Sequence, residues 1–366
     1  MGQIDLKTRN QMTLQSLLSI DLPIIQAPMA GVQGSGMAIA VSQAGGLGSL
    51  PCVMLSMEAL HNELSAIKAG TSKPYNVNFF SHTTPAPDAA REAAWRQALA
   101  PYYAEFGIDA DSIPTGPGRN PFSHEAADVL EAFKPPVVSF HFGLPTADLM
   151  QRVRSWGSKI LSSATTVAEA RWLEANGVDA IIAQGLEAGG HRGMFLTKDL
   201  HSQSGTFALL PQIVQAVKVP VIAAGGIADA NGVAAAMRLG AAGVQIGTAY
   251  MLCPEATTSA LHRTALQNCT VGATAHITAL TNLFTGRPAR GMVNRVMQEL
   301  GSISAKAPEF PLATSALAPL RSAAEKLGRT DFTPLWSGQN VNGCKAIPAA
   351  ELTLALAGTC QVISNL

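Results

Sequence analysis

Eight short apolar runs, bounded by Gly or Pro and separated by helix-like stretches, set the tightest limit on what this chain can fold into. They are Pro23–Ala27, Gly46–Pro51, Tyr75–Phe79, Val137–Phe142, Lys159–Ser163, Ala180–Gln184, Val219–Ala224 and Gly243–Gly247. Most lack strict alternation, as strands covered on both faces should. Strands alternating with helices call for a parallel sheet, and eight parallel strands close a barrel. The expected fold is α/β, a (β/α)8 TIM barrel.

The spacing between runs fits one helix each, except after the third. That longer segment, residues 81–136, holds Trp95, Tyr102, Tyr103 and the turn-rich stretch TGPGRNP, and it reads as a helical insertion above the rim. A miscounted strand, giving another α/β fold, is the alternative. Beyond Thr248, Ala260–Leu266 and Ala313–Leu327 read as helices and Gly286–Gly291 (GRPARG) as loop. The expected organisation is a barrel over residues 1–250, carrying the insertion 81–136. Residues 251–366 would form a mostly α-helical region on the barrel mouth.

Composition narrows the class of protein. Apolar residues make up 47% of the chain and charged residues 14%, enough for a large core and too apolar for disorder. With 25 basic and 25 acidic residues and no basic stripe, nucleic acid is not an expected partner. Cys52, Cys253, Cys269, Cys344 and Cys360 are scattered, with no C-x-x-C pair. Neither a metal site nor a disulfide framework is expected from them, and they read as reduced, mostly buried thiols. No apolar run approaches the ~20 residues that span a bilayer. The polar start MGQIDLKTRNQ is not a secretory signal, and Leu6 breaks the myristoylation pattern after Gly2. The expectation is a cytoplasmic protein with no membrane partner.

In a barrel of this type, chemistry sits just past the C-terminal ends of the strands. After the seventh and eighth runs come Gly225-Gly226 and Gln245-Ile246-Gly247-Thr248. Glycines there let backbone N–H groups approach an anion, and a helix N-terminus after Gly226 would add its dipole. These loops are the usual phosphate site of such barrels. After the sixth run comes Gln184-Gly185-Leu186-Glu187-Ala188-Gly189-Gly190-His191-Arg192-Gly193. Gln184 can bond the polar edge of a heterocycle, and Gly189 and Gly190 can lie against a ring or phosphate. His191 is a candidate substrate residue; Arg192 can bind an anionic substrate or simply cap the loop. After the first run, Ala27, Pro28 and Met29 offer small groups for a flat ring to rest on. Asn78 offers an amide that donates and accepts, though it can equally cap a loop. His141, in SFHFGLP, ends the fourth strand. Alternation would point its ring away from Phe140 and Phe142, towards the rim, where histidine suits proton transfer; a packed histidine is the other reading. His61, His82, His124, His201, His262 and His276 have no such context and read as surface or packing residues. No G-x-G-x-x-G follows the first strand, and no Walker loop, G-x-S-x-G elbow or H-E-x-x-H occurs.

Taken together, PIIQAPMAG, SFHFGLP, IIAQGLEAGGHRG and AAGGIADANGVAAAMRLGAAGVQIGTAYM resemble, in order, the nitronate monooxygenases, formerly called 2-nitropropane dioxygenases. SFHFGLP with EAGGHRG points to the class I branch. The resemblance implies an FMN enzyme that needs no metal. It implies oxidation of alkyl nitronates, propionate 3-nitronate among them, by O2 to a carbonyl compound plus nitrite or nitrate. It places FMN contacts on Asn78, Gln184, Gly189, Gly226, Gln245, Gly247 and Thr248, and the catalytic histidine on His141. One departure stands out: the family carries pocket tyrosines and a lysine in its last third, and the tyrosines are not matched here. There is no Tyr after Tyr250, and Phe310 stands where a Tyr is expected. Two rivals keep the cofactor: an NAD(P)H-dependent reductase of quinones or enoyl thioesters, and a barrel that binds flavin without turnover. Expected partners are a small nitronate and O2; a homodimer is left open.

Overall fold

The computed structural model describes residues 13–110, 113, 119–270 and 277–358. Gly2, Leu6, His276, Cys360 and residues 115–118 of the turn-rich stretch lie outside the described residues. In chain order the strands are β1 (Ile24–Gln26), β2 (Gly48–Pro51), β3 (Tyr75–Phe80), β4 (Val137–His141), β5 (Lys159–Ala164), β6 (Ala180–Gln184), β7 (Gly190–His191), β8 (Val221–Ala224), β9 (Gly243–Ile246), β10 (Thr278–Thr281) and β11 (Ala289–Met292). Eight of them, every one but β7, β10 and β11, form a parallel sheet in the order β1-β9-β8-β6-β5-β4-β3-β2. A parallel bridge between Ile25 and Leu47 joins its two edges, so the sheet closes. The chain is a (β/α)8 barrel, and all eight apolar runs are its strands.

The lack of strict polar alternation has a direct cause: both faces of each strand are buried in apolar surroundings. Ile25, Val137, Leu161, Ala180, Ile182 and Ile222 fill the barrel interior. Their neighbours Ile24, Val138, Ile160, Ile181 and Ala183 face the surrounding helices. Helix α1 (Leu14–Leu18) adds Leu14, Leu17 and Leu18 to the interior cluster. Burying each leucine contributes roughly 2 kcal/mol. Helices α2 (Ser35–Gln43) and α3 (Met57–Gly70) begin the outer ring.

The insertion is shorter than the sequence suggests. Two helices follow β3: α4 (Ala89–Phe106) and α5 (His124–Phe133). Ala126, Ala127 and Leu130 of α5 pack in the main barrel cluster beside Leu60 and Leu64 of α3. So α5 is an ordinary barrel helix, and the excursion ends near Phe122. The next ring helices are α6 (Ala147–Ser155), α7 (Val167–Ala175), α8 (Thr206–Ala216) and α9 (Ala230–Arg238). Helix α4 instead buries Trp95, Leu99, Tyr102 and Tyr103 in a second apolar cluster with Phe284, Leu317, Leu320 and Phe332.

After β9 come α10 (Ala260–Thr270), α11 (Arg295–Leu300), α12 (Ala313–Lys326) and α13 (Ala349–Ala357). One expectation changes here. Beside its helices the segment carries β10 and β11, which form a small antiparallel sheet with β7. GRPARG, read as loop, supplies the first residues of β11, because Ala289 and Arg290 pair with His191 and Gly190 on one side and with Thr281 and Leu280 on the other. Helix α13 returns to the barrel, burying Leu352 and Leu356 in its main cluster. The Tyr250 hydroxyl and Thr353 Oγ1, 2.9 Å apart, tie it there. We propose that α13 serves as the barrel's eighth helix and that the segment between Tyr250 and α13 forms the cap over the mouth. Among the described residues, no helix is long and apolar enough to cross a membrane.

Candidate active site

Strand register gathers the predicted residues on one rim. Asn78 pairs with Ser139, Phe80 with His141, Gln184 with Ala224, Ala224 with Gln245, and Gln26 with Ile246. Asn78 Nδ2 donates to Ser139 Oγ at 2.9 Å, which fixes the amide and orients its oxygen. Gly247 comes against the end of β1: a Cβ added there would lie 3.4 Å from Ala27 Cβ and 3.4 Å from Met29 Sδ. Pro28 lies between those two residues in the chain.

The loop after β6 is held by its own polar side chains. Gln184 Nε2 donates to the His191 carbonyl at 2.9 Å, and Gly193 N donates to Gln184 Oε1 at 2.7 Å. Arg192 is fully buried. Its guanidinium donates to Gln203 Oε1 (2.9 Å), the Gly185 carbonyl (2.7 Å) and the Gln184 carbonyl (2.8 Å). Of the two roles open to Arg192, this geometry displays loop capping and no free face for a substrate anion. Gly190 has φ +71°, and a Cβ there would meet nothing within 4 Å, so its face is open. At Gly189 the space is taken: a Cβ would lie 2.5 Å from Gly338 N.

The phosphate side shows two features that the sequence did not reveal. Gly225 and Gly226 have φ +115° and +75°, conformations that favour glycine. The helix after them begins only at Ala230, and the Asp229 carboxylate already caps it, accepting from Gly232 N at 2.8 Å. The backbone of these loops, more than that helix's dipole, is what remains to face an anion. The second feature is a strap, residues 337–344, laid across the loops. Gly338 N donates to Thr248 Oγ1 (3.0 Å), Gln339 N to the Glu187 carbonyl (2.9 Å), and Asn340 Nδ2 to the Gly226 carbonyl (2.9 Å). Thr248, accepting from Gly338, keeps a hydroxyl proton to donate. Gln245 Oε1 is buried with no hydrogen-bond partner. A buried amide oxygen left unpaired costs about 1–3 kcal/mol, and a bound heterocycle N–H would remove that cost. The open glycine face, the orphaned oxygen and the available hydroxyl fit a flavin cofactor.

Beside this cradle lies a cluster of aromatic rings. His141 leaves β4 with both ring nitrogens engaged: Nδ1 is 3.0 Å from Ser163 Oγ, and Nε2 is 3.1 Å from the His191 carbonyl. A carbonyl only accepts, so Nε2 carries the proton and Nδ1 accepts from Ser163. Burial lowers the His141 pKa to about 4, opposed by the His191 carbonyl and reinforced by Arg287 and Arg192. The ring is neutral at neutral pH. Alternation fails just beyond it. Phe142 takes φ +71°, costly for a bulky side chain, and its ring turns back to lie 4.6 Å from that of His141. His191 packs 5.8 Å from Phe142 and 5.3 Å from Phe310, with Nε2 2.9 Å from Thr285 Oγ1. Burial, then Arg119, holds its pKa well below the ordinary range.

His82, passed over in the sequence, completes this cluster. It is 5% exposed, and its ring stands edge-on to Phe310 at 4.7 Å. Arg287, over the Phe142 face at 3.8 Å, and Arg119, 5.8 Å from the Phe310 ring, were also missed. GRPARG held the only hint of Arg287; nothing local marks Arg119 or His82. Among the described residues, no cluster of three or more His, Cys, Asp or Glu could hold a metal ion.

Comparison with known proteins gives a consistent result. The nitronate monooxygenase family model matches residues 11–357. A nitronate monooxygenase from Pseudomonas aeruginosa is 41% identical over 93% of this chain and 96% of its own length. One from Paraburkholderia phytofirmans is 41% identical over 94% and 93%. In structure, the chain is similar to nitroalkane oxidase from Streptomyces ansochromogenes, with TM-score 0.84, 36% identity, and coverage of 96% and 99%. FabK from Thermotoga maritima is less similar, with TM-score 0.68, 25% identity, and coverage of 96% and 97%.

Proposed function

Since the chain belongs to the nitronate monooxygenase family, we propose that it binds FMN without a covalent link and oxidises alkyl nitronates, such as propionate 3-nitronate, with O2. The products are a carbonyl compound plus nitrite or nitrate. One shared atom carries the geometric case. The His191 carbonyl accepts from both Gln184 Nε2 (2.9 Å) and His141 Nε2 (3.1 Å). The cofactor cradle and the aromatic cluster are therefore held in one fixed relation, as an enzyme that must align a ring with a substrate requires.

FMN, when bound, supplies the electron transfer between nitronate and O2. The chain's own residues bind and position. Ala27, Pro28 and Met29 support the ring, Asn78, Gln184 and Gln245 meet its polar edge, and Gly190 leaves it room. Gly225, Gly226, Gly247 and Thr248 hold the phosphate, with Gly189 keeping the strap close. His141 lies at the reacting end. A neutral imidazole whose pKa is about 4 is a poor base towards a weak carbon acid. The site therefore suits nitronates that are already deprotonated, which His141 and His191 orient. The reductase alternative has no comparable support, since the family model and the curated relatives are nitronate monooxygenases. We place the protein in the cytoplasm, in keeping with the free thiols of Cys52, Cys253 and Cys344.

Product analysis tests the proposal. Purified protein, yellow and releasing FMN on heating, should convert propionate 3-nitronate to nitrite or nitrate with O2 alone. Release of FAD, or no nitrogen oxyanion formed, would overturn it.

A further inference from the structure

Beside the His82 ring, Nη1 of Arg119 and Nε of Arg287 are buried with no hydrogen-bond partner. These residues converge on one pair of rings. His82 lies 4.7 Å from Phe310, and Arg119 Cζ lies 5.8 Å from that same ring. Arg287 Cζ sits 3.8 Å from Phe142, and the two phenylalanines are 5.5 Å apart.

Among the described residues, no ion pair joins a carboxylate to Arg119 or Arg287. Glu169 and Glu309 are the acids that act on Arg287, and both are committed elsewhere. Glu169 accepts from Thr165 N and Oγ1, Phe195 N and Leu196 N. Glu309 accepts from Lys198 Nζ at 2.6 Å. Two largely buried guanidiniums, walled by apolar rings and without an ion-paired carboxylate among the described residues, are costly unless an anion completes them.

We infer that Arg119 and Arg287, beside the His82 ring, form a specificity-determining subsite for a carboxylate carried on the substrate's chain, distinct from the groups that orient the nitronate. Guanidinium matches a carboxylate through paired N–H donors. Arg119 comes from the excursion before α5 and Arg287 from the turn before β11, so two segments outside the strands select the substrate. The kinetic half of the test rests on the proposed nitronate activity; the binding half does not.

The binding half uses propionate and its neutral analogue propionamide, titrated into the flavin-loaded protein and read by calorimetry. Charge-assisted hydrogen bonds should make propionate bind at least ~10-fold more tightly than propionamide. Arg119→Gln should reduce that preference to about 2-fold or less. Equal binding of the two ligands to the wild type overturns the subsite, whether or not the variant folds. The kinetic half compares kcat/KM for propionate 3-nitronate with that for propane 1-nitronate. The ratio should fall at least ~10-fold in Arg119→Gln. An unchanged ratio also overturns the subsite. If neither nitronate is oxidised while propionate still outbinds propionamide, the activity reading fails and the subsite stands.

Discussion

Replacing Arg192 with Met separates two roles that the sequence left open. The guanidinium is fully buried and makes three hydrogen bonds of 2.7–2.9 Å, two of them to carbonyls of the loop after β6. Met fills similar volume but donates nothing. The Gly185 and Gln184 carbonyls and Gln203 Oε1 then lose a charged partner inside the protein. Breaking such a buried network typically costs about 3–5 kcal/mol. At about 2.1 cal/mol/K per residue, a 366-residue chain loses roughly 4–6 °C of melting temperature. The loop also carries Gly189 and Gly190, so the variant should purify with less flavin. Thermal denaturation followed by circular dichroism measures the first effect, and absorbance of bound flavin the second. KM for the nitronate, measured on flavin-matched enzyme, should change little. A variant that melts within ~1 °C of wild type and shows KM raised at least ~10-fold would refute the reasoning and return Arg192 to the substrate.

Gly226→Leu should give folded but colourless protein, because φ +75° strains any side chain and the new Cβ would sit 3.3 Å from Glu187 Cβ; a fully yellow variant would move the phosphate elsewhere. His141→Asn should raise KM for the preformed nitronate at least ~10-fold, with flavin content unchanged; an unchanged KM would make His141 structural. Stability should fall on acidification. Burial first, then in His82 the Arg287 charge, lowers His82 and His262 to about 4. Below about pH 6.5 the unfolded chain takes up protons that the folded one refuses, so stability is full above that pH and declines towards pH 4. Each group contributes up to about 3 kcal/mol to the decline. Urea midpoints between pH 7.5 and 5 measure it, and a flat profile would contradict the buried, neutral state of these rings.

The barrel was legible because each of its strands announces itself locally. PIIQA, AIIAQ and GVQIG are apolar on both faces and end where glycine or a small residue takes over, so counting them suffices. The place of the proposed cofactor loops was legible for the same reason, since Gly225-Gly226 and Gly247-Thr248 follow strand ends directly. The aromatic cluster was not. Phe142 leaves the alternation through a left-handed backbone turn, which no period of two forecasts. Arg119, Arg287 and Phe310 meet only because the excursion before α5 and the segment after β9 fold over the same mouth. Nothing in the insertion's own sequence foretells its partner: the Tyr103 hydroxyl of α4 donates to the Ala316 carbonyl of α12 at 2.7 Å. Strands as short as Gly190–His191 exist through the pairing they make with β11 and leave no periodic trace.

The central claim is that this rim supports nitronate oxidation by O2 without a nicotinamide cofactor. An oxygen electrode tests it most directly, with flavin-loaded protein, propionate 3-nitronate and no NADH. The account predicts immediate O2 consumption that NADH does not accelerate and that NADH alone does not start. Oxygen uptake or flavin bleaching that requires NADH, with none from the nitronate, would contradict it.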